Sequence, residues 1–492
     1  MSQREPAAEL GLLDATMIGM GAMIGAGIFV LTGLAAEISG PAAILVFVLN
    51  GVVTAFTGLC YAELAASIPK SGGGYAFVRE IFDDLSSFVM GWMLWFAYMI
   101  AGALYALGFA PNFLEFLHVY GFVPAPGQVG AVTFGVLPVA IPAKVALAFA
   151  AVLLLVSVNA VSTAASGSIE TIFTAIKVTI LLVFVAFGFL SAGGGGETSF
   201  TFQNFDPLFP EGDGAFSILP AMGLTFIAFE GYDLITTVTE EVENPRENIP
   251  KAIFVSLAVT VLVYMLVVTV AIGTLGAPGL ADAGEAGIAA AATSFMPPIP
   301  VIGNGGAIIV FGAIFSTITA LNAVVIASSR VAFAMGREEQ LPSRVGNIHH
   351  RYGTPFVAIL ASAVVMLLSV GLPTKSAGNM SSLFFLLSFV IVNGAVIKLR
   401  RERPNMNRPY KIPYYPVPPI MGILLNLVLT GVLVEYLLRT DPLALVLSVA
   451  WILLGVVFYF AYFRETGSAE RGGQKTADTG PDSTTDAAGG ND

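Results

Sequence analysis

The sequence predicts an all-α polytopic membrane protein with 12 transmembrane helices. Three observations carry this expectation. Hydrophobic residues make up 56% of the 492 residues and charged residues only 11%, against roughly 25% charged in a soluble chain. The apolar residues gather in runs near the ~20 that one spanning helix needs. The basic residues between those runs keep to alternate loops, apart from Lys375 and Arg439 in outer loops and Lys144 at an outer helix end. The first observation excludes an ordinary cytosolic enzyme. Nucleic-acid binding is disfavoured, because the net charge is −11 and no basic stripe occurs. A single cysteine, Cys60, inside an apolar run, excludes a disulfide framework and a cysteine-based zinc site.

The chain opens with a polar, acidic segment, residues 1–13, expected in the cytoplasm. It lacks the basic start and small-residue cleavage site of a secretory signal, so the first apolar run is expected to be kept. The runs are 14–38, 42–66, 85–115, 143–163, 168–191, 215–241, 251–275, 305–335, 355–372, 380–400, 418–438 and 443–463. Loops 116–142, 192–214 and 276–304 hold no Lys or Arg, whereas Lys70, Arg79, Arg246, Lys251, Arg330, Arg337, Arg400, Arg403 and Arg408 fall on the opposite side. Positive loops mark the cytoplasm, so both termini are expected there, in a multi-pass protein of the cell membrane. An odd number of spans would scatter the bias. Residues 464–492 are too polar to bury a core and are expected to form a disordered, acidic cytoplasmic tail.

Two runs carry helix breakers. The first contains Gly19, Gly21, Gly25 and Gly27 within nine residues, and each Gly costs about 1 kcal/mol in a helix relative to Ala. The sixth contains Phe226-Ile227-Ala228-Phe229-Glu230-Gly231-Tyr232-Asp233, a Gly flanked by two carboxylates. Unwound backbone at membrane depth is tolerated only where it lines a cavity or is buried in protein. The breaks open the first helix of runs one to five and the first of runs six to ten, the pattern of an inverted-repeat transporter with its site at the midplane. Free N–H groups after Gly25 suit a carboxylate, and free carbonyls before Gly231 suit an ammonium group. Together they fit an α-amino acid zwitterion. Close packing of small residues is the competing reading of the glycines.

Gly21-Ala22-Met23-Ile24-Gly25-Ala26-Gly27-Ile28-Phe29 resembles the first-helix signature of the amino acid–polyamine–organocation (APC) superfamily of transporters. Tyr61-Ala62-Glu63-Leu64-Ala65, with Ile68-Pro69-Lys70-Ser71-Gly72-Gly73-Gly74-Tyr75, resembles its second hallmark. Glu240-Glu241-Val242-Glu243-Asn244-Pro245, Ser329-Arg330 through Leu341-Pro342, and Arg408-Pro409-Tyr410-Lys411-Ile412-Pro413 continue the series in family order. The resemblance covers residues 10 to about 463 and is strongest to the cationic amino acid transporter branch and its prokaryotic relatives. It implies the leucine-transporter fold, with repeats 14–191 and 215–400 and two peripheral helices in 418–463. It implies a substrate site of Met23, Ile24, Gly25, Ala26, Gly27, Phe226, Ile227, Phe229 and Glu230. There the amides of Ala26 and Gly27 would hold the carboxylate, and the carbonyls of Met23, Ile227 and Glu230 the amino group. Phe226 and Phe229 would wall the pocket.

Lys177 lies deep in the fifth run, where a charge costs about 2.5–3.5 kcal/mol, so it needs a cavity or a partner. A Lys that gains and loses its proton between conformations can replace a bound sodium ion. The resemblance supports this, since some family members carry Lys where sodium-coupled relatives bind Na⁺. Glu230 departs from the family pattern, and it can select cationic substrates, carry a proton, or bond within the helix break. Asp233 is expected to cap the second half-helix, and Glu63 to support the Gly-rich loop 71–74. Ser316, Thr317 and Thr319 are candidate sodium ligands or ordinary packing residues. The chain holds no symmetric filter for a channel and no acid, base and nucleophile cluster for an enzyme. The expected function is secondary active transport of an amino acid by alternating access, with a proton coupled through Lys177. Sodium coupling, exchange and amino acid sensing are the alternatives. No cofactor, metal or nucleic acid is expected; the partners are the amino acid, the proton and the lipid bilayer.

Overall fold

Lipid offers the backbone no hydrogen-bond partner, so an apolar run has one low-energy solution, the helix, in which interior N–H and C=O groups pair with each other. A computed structural model describes residues 10–70, 72–124, 129–130, 132–133, 140–161, 167–193, 199–210, 212, 214–297 and 305–477. Residues 1–9 of the N-terminal segment, Ser71 of the second motif and 478–492 of the tail lie outside the described residues.

The first run is two helices, α1 (Leu12–Met23) and α2 (Ala26–Ser39). Then come α3 (Ala43–Ser67), the short α4 (Gly73–Ile81) and the long α5 (Asp84–Val119). A two-residue antiparallel pair, β1 (Val132–Thr133) with β2 (Ala140–Ile141), precedes α6 (Ala143–Val161) and α7 (Gly167–Leu190). The sixth run is α8 (Ile218–Thr225) followed by 3-10 turns at Phe226–Phe229 and Leu234–Glu241. The remainder is α9 (Pro245–Ala283), α10 (Gly287–Phe295), α11 (Gly306–Arg337), α12 (Phe356–Ser369), α13 (Thr374–Glu402), α14 (Val417–Thr440) and α15 (Pro442–Ala477).

Among the described residues, every expected run contains helix, interrupted at 24–25 in the first and at 230–233 in the sixth. The runs 14–38 and 42–66 lie in one apolar segment, Leu12–Ser67, and α12, at 14 residues, is the one span shorter than the rest. Two departures have local causes. The expected loop 276–304 contains the end of α9 and all of α10, whose Ala289-Ala290-Ala291-Ala292 core strongly favours helix. α15 continues past 463 to Ala477 into the expected disordered tail; extending an existing helix avoids the cost of nucleation.

Side-chain contacts sort the loops into two ends. At one, Arg79 joins Asp84 and Glu338, Glu80 accepts from Lys70 and Arg403, and Arg330 faces Glu241. The two cations hold the Glu80 carboxyl below the usual carboxylate range. At the other end, Lys375 pairs with Glu37, Lys144 with Glu285, and Ser376 with Asp441. The basic loops therefore converge, as the alternating charge pattern requires.

Glu63 differs from expectation. It is fully buried at the end of α3, and its hydrogen-bond partners among the described residues lie outside the Gly-rich loop. Arg400 of α13 donates to both its oxygens, the Ile412 amide donates to Oε2 at 2.7 Å, and Arg408 Nε lies 3.6 Å from Oε1. One carboxylate thus joins α3, α13 and the segment before α14. Removing one partner of a buried pair strands the other, at roughly 3–5 kcal/mol. Glu63→Ala should therefore lower the unfolding temperature in detergent markedly, and Glu63→Gln, which keeps an acceptor for Ile412, should lower it less. Equal melting of Glu63→Ala and the unmodified chain would contradict this anchoring role.

Candidate functional site

The site is built where two helices stop. α1 ends at Met23, because Ile24 (ψ 60°) and Gly25 (ψ −140°) leave helical backbone geometry. α2 restarts at Ala26, so the amides of Ala26 and Gly27 lie in a first turn, where no carbonyl of the same helix reaches them. The sixth run tightens to a 3-10 turn at Phe226–Phe229, extends at Glu230 (φ −70°, ψ 140°) and reverses at Gly231 (φ 137°), a conformation that favours glycine. A β-carbon on Gly231 would stand 2.6 Å from the Met23 nitrogen, and one on Gly27 would stand 2.5 Å from the Ala228 β-carbon. The two breaks touch through nearly bare backbone.

Neighbouring helices supply donors to the freed carbonyls. Lys177 Nζ donates to the Gly21 carbonyl at 2.9 Å and is fully buried. It ends a ladder along α1 and α7, in which the Thr171 hydroxyl donates to Asp14 and the Thr174 hydroxyl to the Met17 carbonyl. Tyr264 of α9 donates to the Met23 carbonyl and lies 3.0 Å from the Ala228 carbonyl. Ser316 of α11 donates to the Ile24 carbonyl, while Thr317 and Thr319 donate back into their own helix.

The expected substrate acceptors are partly engaged. The Met23 carbonyl takes the Gly25 amide at 2.7 Å as well as Tyr264, and the Ile227 carbonyl takes the Glu230 amide at 3.1 Å. The rings of Phe226 and Phe229 turn into the core, the first against Phe389 and the second against Phe47 and Tyr264. Asp233 does not cap the following turn. Its Oδ1 accepts the Gly231 amide at 2.9 Å and its Oδ2 accepts the Tyr98 hydroxyl, so it fixes the reversal itself.

Glu230 is 5% exposed, and neither carboxylate oxygen has a hydrogen-bond partner. It therefore does not bond within the helix break through its side chain. It borders a cavity of about 10 Å³ with Tyr98, Tyr105, Ala320, Val324 and Phe385. That volume is about one water, so a whole amino acid fits only when the lining helices part. Sequence reasoning missed Tyr98, Tyr105, Tyr264 and Phe385. They lie in uninterrupted apolar runs, where an aromatic residue reads as ordinary core.

The amino acid permease family matches residues 10–458. The chain is 30% identical over 470 residues to the branched-chain amino acid permease BcaP of Bacillus subtilis, covering 93% of each chain. It is 29% identical to the methylthioribose transporter of the same organism, again over 93% of each. It is 32% identical over 468 residues to the Asc-type amino acid transporter 1 of Mus musculus, covering 92% of this chain and 80% of that one. The match takes in both broken helices and every helix from α1 to α14, and the chain belongs to the amino acid permease family of the APC superfamily, membrane transporters rather than enzymes.

Proposed function

We propose that this permease carries an amino acid across the cell membrane by alternating access, coupled to a proton through Lys177 and independent of sodium. The carrying observation is the place of one ammonium group: fully buried, 2.9 Å from the Gly21 carbonyl, at the C-terminal end of α1 beside the break. A helix C-terminus carries partial negative charge, so it is a natural seat for a monovalent cation. With the ammonium already there, a sodium ion at about 4 Å would meet roughly 4 kcal/mol of repulsion at an effective dielectric of ~20. Loss of the proton weakens the hold on α1 and links one proton to the movement of that half-helix.

The substrate carboxylate would lie on the amides of Ala26 and Gly27, beside Ile24 and Gly25. Its ammonium would reach the carbonyls of Met23, Ile227 and Glu230 once the helices part, with Phe226 and Phe229 turned to wall it. The Glu230 side chain would read a donor on the substrate's side chain. The names of BcaP and the Asc-type transporter support an amino acid as cargo. The convergence of basic loops supports cytoplasmic termini.

Three measurements in proteoliposomes test this reading. The unmodified protein should accumulate substrate on an imposed pH gradient and not on a sodium gradient. Lys177→Met, similar in length and uncharged, should insert normally and stop pH-driven accumulation. Accumulation on sodium alone, or by Lys177→Met on a pH gradient, would overturn the coupling.

Gly25→Leu should abolish binding, because even its β-carbon would stand 2.7 Å from the Ala320 β-carbon. Wild-type transport by a correctly inserted variant would displace the site. Glu230→Gln should weaken lysine or arginine binding by about 1.5–3 kcal/mol, the scale of a charge-assisted hydrogen bond, and spare leucine. Equal loss for both substrate types would assign Glu230 to the scaffold or to proton carriage.

A further inference from the structure

A second cavity, of about 680 Å³, opens where α9 begins, against Pro409 and Tyr410 of the segment before α14. Its volume falls among those of small-ligand sites, and nothing in the transport reading uses it. Its walls divide by chemistry. Arg246, Glu247 and Lys251 form a charged side with one net positive charge, while Phe254 and Tyr410, with ring centres 5.5 Å apart, form an aromatic one. Lys251 is tied to Glu247 at 2.6 Å. Arg246 is exposed, and so is Lys411, which follows Tyr410 in sequence; among the described residues neither has a carboxylate within ion-pair distance. The local balance therefore favours an anion.

The position favours an amphiphile. Lys251, Val255 and Leu262 follow the helical repeat and share one face of α9. Val255 and Leu262 are 47% and 51% exposed on a membrane-spanning helix. A basic rim with aromatic rings thus stands in line with an apolar stripe, which is how a phospholipid distributes its own chemistry. A soluble anion would have no use for the stripe.

We infer that this cavity seats the headgroup of an anionic phospholipid, its phosphate beside Arg246 and Lys251 and an acyl chain along Val255 and Leu262. The full chain in detergent can be titrated with phosphatidylglycerol and with phosphatidylcholine, reading bound lipid by native mass spectrometry. Phosphatidylglycerol should bind at least tenfold more tightly. The exposed double variant Arg246→Ala/Lys251→Ala should lose roughly thirtyfold of that affinity. Arg344→Ala, in the basic loop between α11 and α12, should lose none. Inorganic phosphate at millimolar concentration should leave the lipid bound. Equal binding of the two lipids, wild-type affinity in the double variant, an equal loss in Arg344→Ala, or displacement by phosphate would each overturn the assignment.

Discussion

Opening two helices inside a bilayer strands carbonyl groups that lipid cannot satisfy, and the surroundings of the site follow from which side chains supply the missing donors. Three packed helices each contribute one: Lys177 from α7, Tyr264 from α9 and Ser316 from α11. A buried carbonyl without a donor costs about 1–3 kcal/mol. The identity of these residues is thus constrained by the broken backbone before any substrate is considered. The breaks also touch each other directly, so the glycines at 27 and 231 are set by the partner segment as much as by their own helix.

The two halves of the first run have different attachments. α1 is bound to α7 at successive turns, from Asp14 through Met17 to Gly21. α2 instead presses Gly33 against the chain at Leu280 and Gly284, at the far end of α9. Between them lie only Ile24 and Gly25. Both halves also pack against α9, so a change in their relation has to work against α9 and against the α7 ladder that holds α1.

The glycine cluster, the apolar runs and the alternating basic loops made the spans and both breaks legible in the sequence, because each is a local property of composition or spacing. Long-range pairings were not legible. Glu63 stands just before the Gly-rich loop in sequence, and that adjacency suggested its role, yet its main partner, Arg400, is 337 positions away. Asp233 sits where a cap would be expected and instead turns back to the Gly231 amide, because Tyr98 of α5 fixes its other oxygen. Tyr98, Tyr105 and Tyr264 differ from other buried aromatics only in what tertiary packing places beside their hydroxyls. The membership of the chain in its family was legible, since five ordered motifs carried it.

The Tyr264 hydroxyl owns one hydrogen and has two carbonyls in reach, Met23 on one broken helix and Ala228 on the other. With Tyr264 turned to Met23, that oxygen has both lone pairs occupied, since the Gly25 amide takes the second. Rotation about a single C–O bond turns the hydroxyl to donate to the Ala228 carbonyl instead and frees a lone pair on Met23, with no heavy atom displaced. The pair of carbonyls and the one phenol therefore form a two-position hydrogen-bond switch between the two broken helices.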